Sequence, residues 1–106
     1  MSGCAVGSDA SIGEHGVLYT HAAIDHDSKA GSFVTLAPKA GTGGNVTIGD
    51  YAAISLGASV IHGITIGSHT VVGAGSTVVS DIPSHSIAYG TPAKIIRRRE
   101  EGERYL

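Results

Sequence analysis

The chain has 106 residues, enough for one small domain, and 7 Lys and Arg against 9 Asp and Glu leave a formal charge of −2. That balance offers no basic footprint for nucleic acid. The single cysteine, Cys4, excludes an internal disulfide, and no apolar leader or run of membrane-spanning length is present. The expectation is one soluble, cytoplasmic domain over residues 1–106, with no membrane or nucleic-acid partner. Sixteen glycines with only 3 prolines and no low-complexity tract argue for order rather than disorder. One Phe, four Tyr and no Trp require a narrow core built from small aliphatic side chains.

Read from the N-terminus, the chain obeys a six-residue rule. Every sixth residue from Val6 is Val6, Ile12, Leu18, Ile24, Ala30, Leu36, Thr42, Ile48, Ile54, Val60, Ile66, Val72 and Val78. Eleven of these thirteen are Ile, Leu or Val; Ala30 and Thr42 are the exceptions. The next residue is often glycine, as at Gly7, Gly13, Gly43 and Gly49, and four positions on comes a small or apolar residue such as Ala22, Ser28 or Ala58. A helix would repeat its apolar residues at three and four, and a two-sided strand at two. Period six suits short strands joined by turns around a triangular coil, three hexads to a turn. The large residue fills a face and the small one fits where faces converge. The glycines are expected to relieve crowding and to allow unusual backbone angles at the corners. An array of about four coils follows, spanning residues 6–83.

Within the fourth hexad lies Ile24-Asp25-His26-Asp27-Ser28, a histidine between two carboxylates. Alternation turns Ile24 and Ser28 inward and His26 outward. After Val78 the phase ends. Residues 84–91 read as a loop and a last strand through Ile87-Ala88-Tyr89. Pro92, with Thr91 as its cap, then suits the first turn of a short C-terminal helix over residues 93–101. The Arg97-Arg98-Arg99 run is a solvated face. Repeat arrays need capped ends, and this chain shows no N-terminal cap, so self-association is expected.

The hexads Ile48-Gly49-Asp50-Tyr51-Ala52-Ala53 and Ile66-Gly67-Ser68-His69-Thr70-Val71 resemble the hexapeptide repeats of left-handed parallel β-helix proteins. The resemblance implies that fold, all-β with left-handed coils, and most such proteins are acyltransferases using acetyl-CoA. The tail Gly90-Thr91-Pro92-Ala93-Lys94 resembles the Gly-Asn-Pro-Ala-Lys ending common among them. Ile24-Asp25-His26-Asp27, Ala30-Gly31-Ser32-Phe33-Val34 and Gly73-Ala74-Gly75-Ser76 are similar to the sialic acid O-acetyltransferase (NeuD) family of sugar O- and N-acetyltransferases. This likeness runs from about Val6 to Arg98. It implies a homotrimer with sites between subunits and His26 as the general base. An acceptor hydroxyl or amine, on a sugar, loses its proton to the imidazole as it attacks the thioester. Asp25 or Asp27 would orient the ring. Gly44 and Ala74 match positions that hold the pantetheine arm, and Lys94 or the nearby arginines would meet the nucleotide phosphates.

Three departures set the chain apart from the amino-sugar enzymes of that group. Nine residues after His26, where they carry a second histidine, stands Thr35; seven before, in place of asparagine, stands Tyr19. Their N-terminal βαβ domain, which binds the nucleotide sugar, has no counterpart here. A non-catalytic or partner-dependent hexapeptide subunit is therefore one alternative. The other is a zinc enzyme similar to the gamma-class carbonic anhydrases, with His21 and His26 at ligand spacing. Its third ligand would lie thirty-six residues nearer the N-terminus, which is more than precede His21 or His26, and the reading preferred has no metal.

Overall fold

The computed structural model describes residues 5–99. Residues 1–4, Cys4 among them, and residues 100–106, with the end of the helix expected over 93–101, lie outside the described residues. In chain order the strands are β1 (Ala5–Val6), β2 (Ser11–Ile12), β3 (Val17–Leu18), β4 (Ala23–Ile24), β5 (Lys29–Ala30), β6 (Thr35–Leu36), β7 (Gly41–Thr42), β8 (Thr47–Ile48), β9 (Ala53–Ile54), β10 (Ser59–Val60), β11 (Thr65–Ile66), β12 (Val71–Val72), β13 (Thr77–Val78), β14 (Ser86–Tyr89) and β15 (Lys94–Arg98). They assemble three parallel faces: β1-β4-β7-β10-β13, β2-β5-β8-β11, and β3-β6-β9-β12-β14, the last closed by β15. These are called faces one, two and three below.

This is the expected parallel β-helix of about four coils. Each residue pairs with the one eighteen further on, as in Val6↔Ile24 and Leu36↔Ile54. From β3 to β13 the second residue of each strand is buried, and all of these but Thr42 belong to one continuous core from Leu18 to Val78. The small series packs into the angles of the prism, with Ala22, Ala40, Val46 and Ala58 all at or near zero exposure. The last coil is shorter, since Val71 pairs with Ile87, sixteen residues on.

The corners revise the role expected of the glycines. Left-handed backbone angles do recur every six residues, but two positions after those glycines and mostly at other residues: Asp27 (φ 58°), Phe33 (59°), Lys39 (63°), Asn45 (57°) and Tyr51 (61°). Such angles cost roughly 1–2 kcal/mol for an L-residue. A hydrogen bond to the preceding coil helps to hold each of them, as in Asp27 N–H to the Ser8 carbonyl at 2.9 Å and Tyr51 N–H to the Ser32 carbonyl at 2.9 Å. The glycines after the aliphatic residues serve close approach instead. A Cβ on Gly43 would lie 2.7 Å from the His62 nitrogen, and one on Gly49 would lie 2.5 Å from the Ser68 nitrogen.

Coil stacking also aligns side chains into ladders. Along the edge between faces two and three, His15, Phe33, Tyr51, His69 and His85 stack with ring centroids 4.9, 5.0, 4.9 and 4.8 Å apart. That spacing is the strand spacing itself.

The expected C-terminal helix is not formed. Lys94–Arg98 is a strand, β15, running antiparallel to β14 with Tyr89↔Lys94 and Ile87↔Arg97 paired and a bulge between Ile87 and Ala88. Two causes favour the strand. β14 leaves an edge of unpaired backbone groups that an adjacent strand satisfies, and Ile95-Ile96 are β-branched. Thr91 and Pro92 lie in the turn between the two strands rather than at a helix start, with Gly90 there at φ 109°.

Candidate active site

The edge between faces one and two carries the site. His26 sits in the turn joining β4 to β5, held by Ile24 and Ser28, each only 1% exposed. Burying those two residues turns the three polar side chains between them to the surface, and His26 and Asp27 are each 52% exposed. The two carboxylates then take separate roles. Asp25 Oδ1 accepts the backbone N–H of His26 at 2.7 Å. Asp27 Oδ2 lies 3.3 Å from His26 Nδ1. A carboxylate accepts, so in the neutral tautomer that suits this contact the ring hydrogen is on Nδ1 and the lone pair on Nε2. Of the two candidates, Asp27 is the one that touches the ring.

The turn is stitched to the next coil. The His26 carbonyl accepts Asn45 N–H at 2.9 Å. The buried Ser28 hydroxyl donates to the Gly43 carbonyl at 3.0 Å and accepts Val46 N–H at 3.1 Å. In other coils the residue after the aliphatic donates its N–H to a backbone carbonyl one coil on, as Gly7 does to Ile24 and Gly31 to Ile48. Asp25 N–H goes instead to the Thr42 hydroxyl at 3.3 Å, and β4 pairs with β7 only through Ala23↔Gly41. Thr42, the polar exception in the aliphatic series, is thus a departure in the ladder one coil on from Ile24, at the start of the turn that carries His26.

Gly44 follows in the same column, one coil on. A Cβ there would lie 2.5 Å from both Cε1 and Nε2 of His26 and 3.0 Å from Nδ1. The imidazole therefore rests over a backbone with no side chain, and Gly44 is buried beneath it. One coil further, the His62 ring reaches back across this gap to 6.5 Å from the His26 ring, centroid to centroid, at 47°.

The fold brings together His26, Asp25, Asp27 and Gly44. It does not bring Ala74 or Lys94 to them within one chain: Ala74 lies in a turn on the edge between faces three and one, and Lys94 lies on β15 at the margin of face three. His21 stands in the turn between β3 and β4, so it occupies a different edge from His26, as does Tyr19. Thr35 is in β6 on face three. Sequence reasoning missed the parts played by Thr42, Ser28 and His62. For two of them the signal was present: Thr42 breaks the aliphatic rule, and His62 follows His26 at two coil lengths.

The fold is a parallel β-solenoid of about four coils, like that of the left-handed β-helix acetyltransferases. Among solved structures the chain is similar to a mutant of GDP-perosamine N-acetyltransferase from Caulobacter crescentus in complex with CoA and GDP-perosamine. That match has 42% identity over 90% of this chain and 45% of that one, with a TM-score of 0.89. It is also similar to the acetyltransferase domain of PglB from Neisseria gonorrhoeae in complex with acetyl coenzyme A (30% identity, 89% and 55% coverage, TM-score 0.77). A third likeness is to a maltose O-acetyltransferase from Clostridium difficile (26% identity, 92% and 67% coverage, TM-score 0.72). The chain spans about half the length of the first of these structures. No family model matches the sequence, and no curated protein matches it.

Proposed function

We propose that the chain transfers an acetyl group from acetyl-CoA to an amino or hydroxyl group of a sugar, with His26 as general base. The observation that carries this is the arrangement of His26: an exposed imidazole whose Nδ1 lies 3.3 Å from Asp27 Oδ2 and whose Nε2 edge rests on Gly44. Three independent structural likenesses to acetyltransferases, two of them holding CoA or acetyl-CoA, supply the cofactor. GDP-perosamine in one of those complexes makes a nucleotide-linked amino sugar the first acceptor class to try.

In this reading the acceptor lies within hydrogen-bond reach of His26 Nε2, about 3 Å. As its nitrogen or oxygen attacks the thioester carbonyl, the proton passes to Nε2, and Asp27 stabilises the imidazolium that forms. The carbon–sulfur bond breaks and His26 returns the proton to the CoA thiolate. Backbone N–H groups of the turns suit the developing oxyanion.

The separation of Gly44 from Ala74 and Lys94 favours a site shared between copies. In a homotrimer the edge bearing His26 and Gly44 would meet another copy's Ala74 edge and β15, with the pantetheine arm between them. Exposed apolar side chains at Leu56, Ile61, Val79, Ile95 and Ile96 fit burial in such an assembly.

Isothermal titration with acetyl-CoA, for the native chain and for His26→Ala, tests the reading. Binding by both supports a cofactor site in which His26 serves chemistry. No binding by the native chain would contradict it and favour a partner-dependent subunit.

A further inference from the structure

The N–H of His26 finds its acceptor in an unusual place. At two other turns the N–H of the second turn residue bonds a side chain, and that side chain stands one coil on. Ser32 N–H donates to Asp50 Oδ1 at 2.8 Å, and Ser68 N–H donates to Ser84 Oγ at 3.1 Å. His26 is the second residue of its own turn, and the residue one coil on is Gly44. Gly44 has no side chain to offer. The glycine that makes room for the ring therefore also deprives the His26 N–H of an acceptor from the next coil.

Asp25 supplies one instead. Its Oδ1 accepts the His26 N–H at 2.7 Å from the preceding position, and bonds to an ionised acceptor are of the stronger kind. The N–H of Asp25 itself turns to the Thr42 hydroxyl, whereas Gly7, Tyr19, Gly43 and Ile61, at the same place in their turns, keep the backbone carbonyl bond. The regular ladder is thus interrupted at the residue before His26. Three groups then fix His26: Asp27 meets the ring, Asn45 N–H holds the carbonyl at 2.9 Å, and Asp25 holds the N–H. Without the last, the direction of the His26 side chain is set from one end of the residue only.

We propose that Asp25 is a positioning residue for His26. By accepting the His26 N–H it takes the place of the side chain that Gly44 lacks, and so aims the imidazole over Gly44. It acts through the main chain, while Asp27 acts on the ring. The consequence for catalysis rests on the acyl-transfer reading above; the aiming of the ring does not.

Nuclear magnetic resonance of the full-length chain tests the aiming directly. In the native protein His26 Hε1 should show an Overhauser contact to Gly44 Hα, because a Cβ there would lie 2.5 Å from Cε1. Asp25→Ala should lose that contact. Asp25→Asn keeps an acceptor oxygen without the charge and should retain it. Thiol release from acetyl-CoA, with glucosamine as the acceptor probe, should follow the same order. Asp25→Ala is expected to fall about 10- to 100-fold in kcat, the scale of a misplaced reacting group, with KM for acetyl-CoA unchanged. Asp25→Asn should recover most of that loss. A native-like contact in Asp25→Ala would overturn the assignment, as would absence of the contact from the native protein. Equal loss of turnover in the two variants would give the role to the charge of Asp25 and overturn it as well. A native chain without turnover would count against the acyl-transfer reading alone, since the contact still decides the aiming.

Discussion

Gly44 and Thr42 shape the site as much as His26 does. A methyl group on Gly44 would sit 2.5 Å from two atoms of the imidazole, so Gly44→Ala must push the ring off its floor. Displacements near 1 Å at a reacting group cost about 100-fold in rate. Gly44→Ala should therefore lower acetyl transfer by about 10- to 100-fold while circular dichroism and the unfolding midpoint stay close to native. Native turnover by Gly44→Ala would show that the ring's seat does not matter. Thr42→Val keeps the shape of the side chain but removes the hydroxyl that accepts Asp25 N–H. Leaving that donor without its partner predicts a loss of about 1 kcal/mol in urea unfolding, with a fall in transfer rate as the turn loosens. The sequence alone located His26 and Gly44 because family spacing marks them. It left Asp25 and Asp27 undivided, since both flank the histidine and only the ring's direction distinguishes them. Thr42 looked like a lapse in the pattern; its meaning appears only when the β4–β7 pairing is seen to be interrupted above it.

The hexads were legible because one residue in six must fill a face and one must fit a corner, and any other choice overfills or empties the prism. The turns were read less well. A glycine beside an aliphatic residue suggests special backbone angles, whereas here it answers to the neighbouring coil's backbone 2.5–2.7 Å from a would-be Cβ. The C-terminal segment was misread as a helix because Thr91-Pro92 is a local start signal, while the open edge of β14 is a tertiary feature absent from local sequence. Two elements make testable energetic claims. In the ring ladder Tyr51 stacks on both Phe33 and His69, so Tyr51→Ala should cost about 1–3 kcal/mol and Tyr51→Phe much less. Equal stabilities for these two variants in urea would mean that the stack contributes nothing. On the edge between faces three and one, Ser55 is buried and its hydroxyl has no hydrogen-bond partner among the described residues. Ser55→Ala removes an unsatisfied group between coils and should raise stability by about 1 kcal/mol; a destabilised variant would reveal a partner for that hydroxyl in the assembly.

Across the whole molecule, the division of family-matched residues between separate edges is what points to a shared site. His26 and Gly44 lie on one edge, Ala74 on another and Lys94 on β15, with Ile95 and Ile96 exposed beside it. Sedimentation equilibrium should give three times the monomer mass, and Ile96→Lys should shift the population toward monomer and weaken acetyl-CoA binding together. A monomer that binds acetyl-CoA with full affinity would argue against a groove between copies. The most direct test of the mechanism is thiol release from acetyl-CoA in the presence of nucleotide-linked and free amino sugars, measured for the native chain and His26→Ala. The account predicts acceptor-dependent release by the native chain and a fall of at least about 100-fold in His26→Ala, with the cofactor still bound. Equal rates from the two proteins would remove His26 from the chemistry and contradict the account.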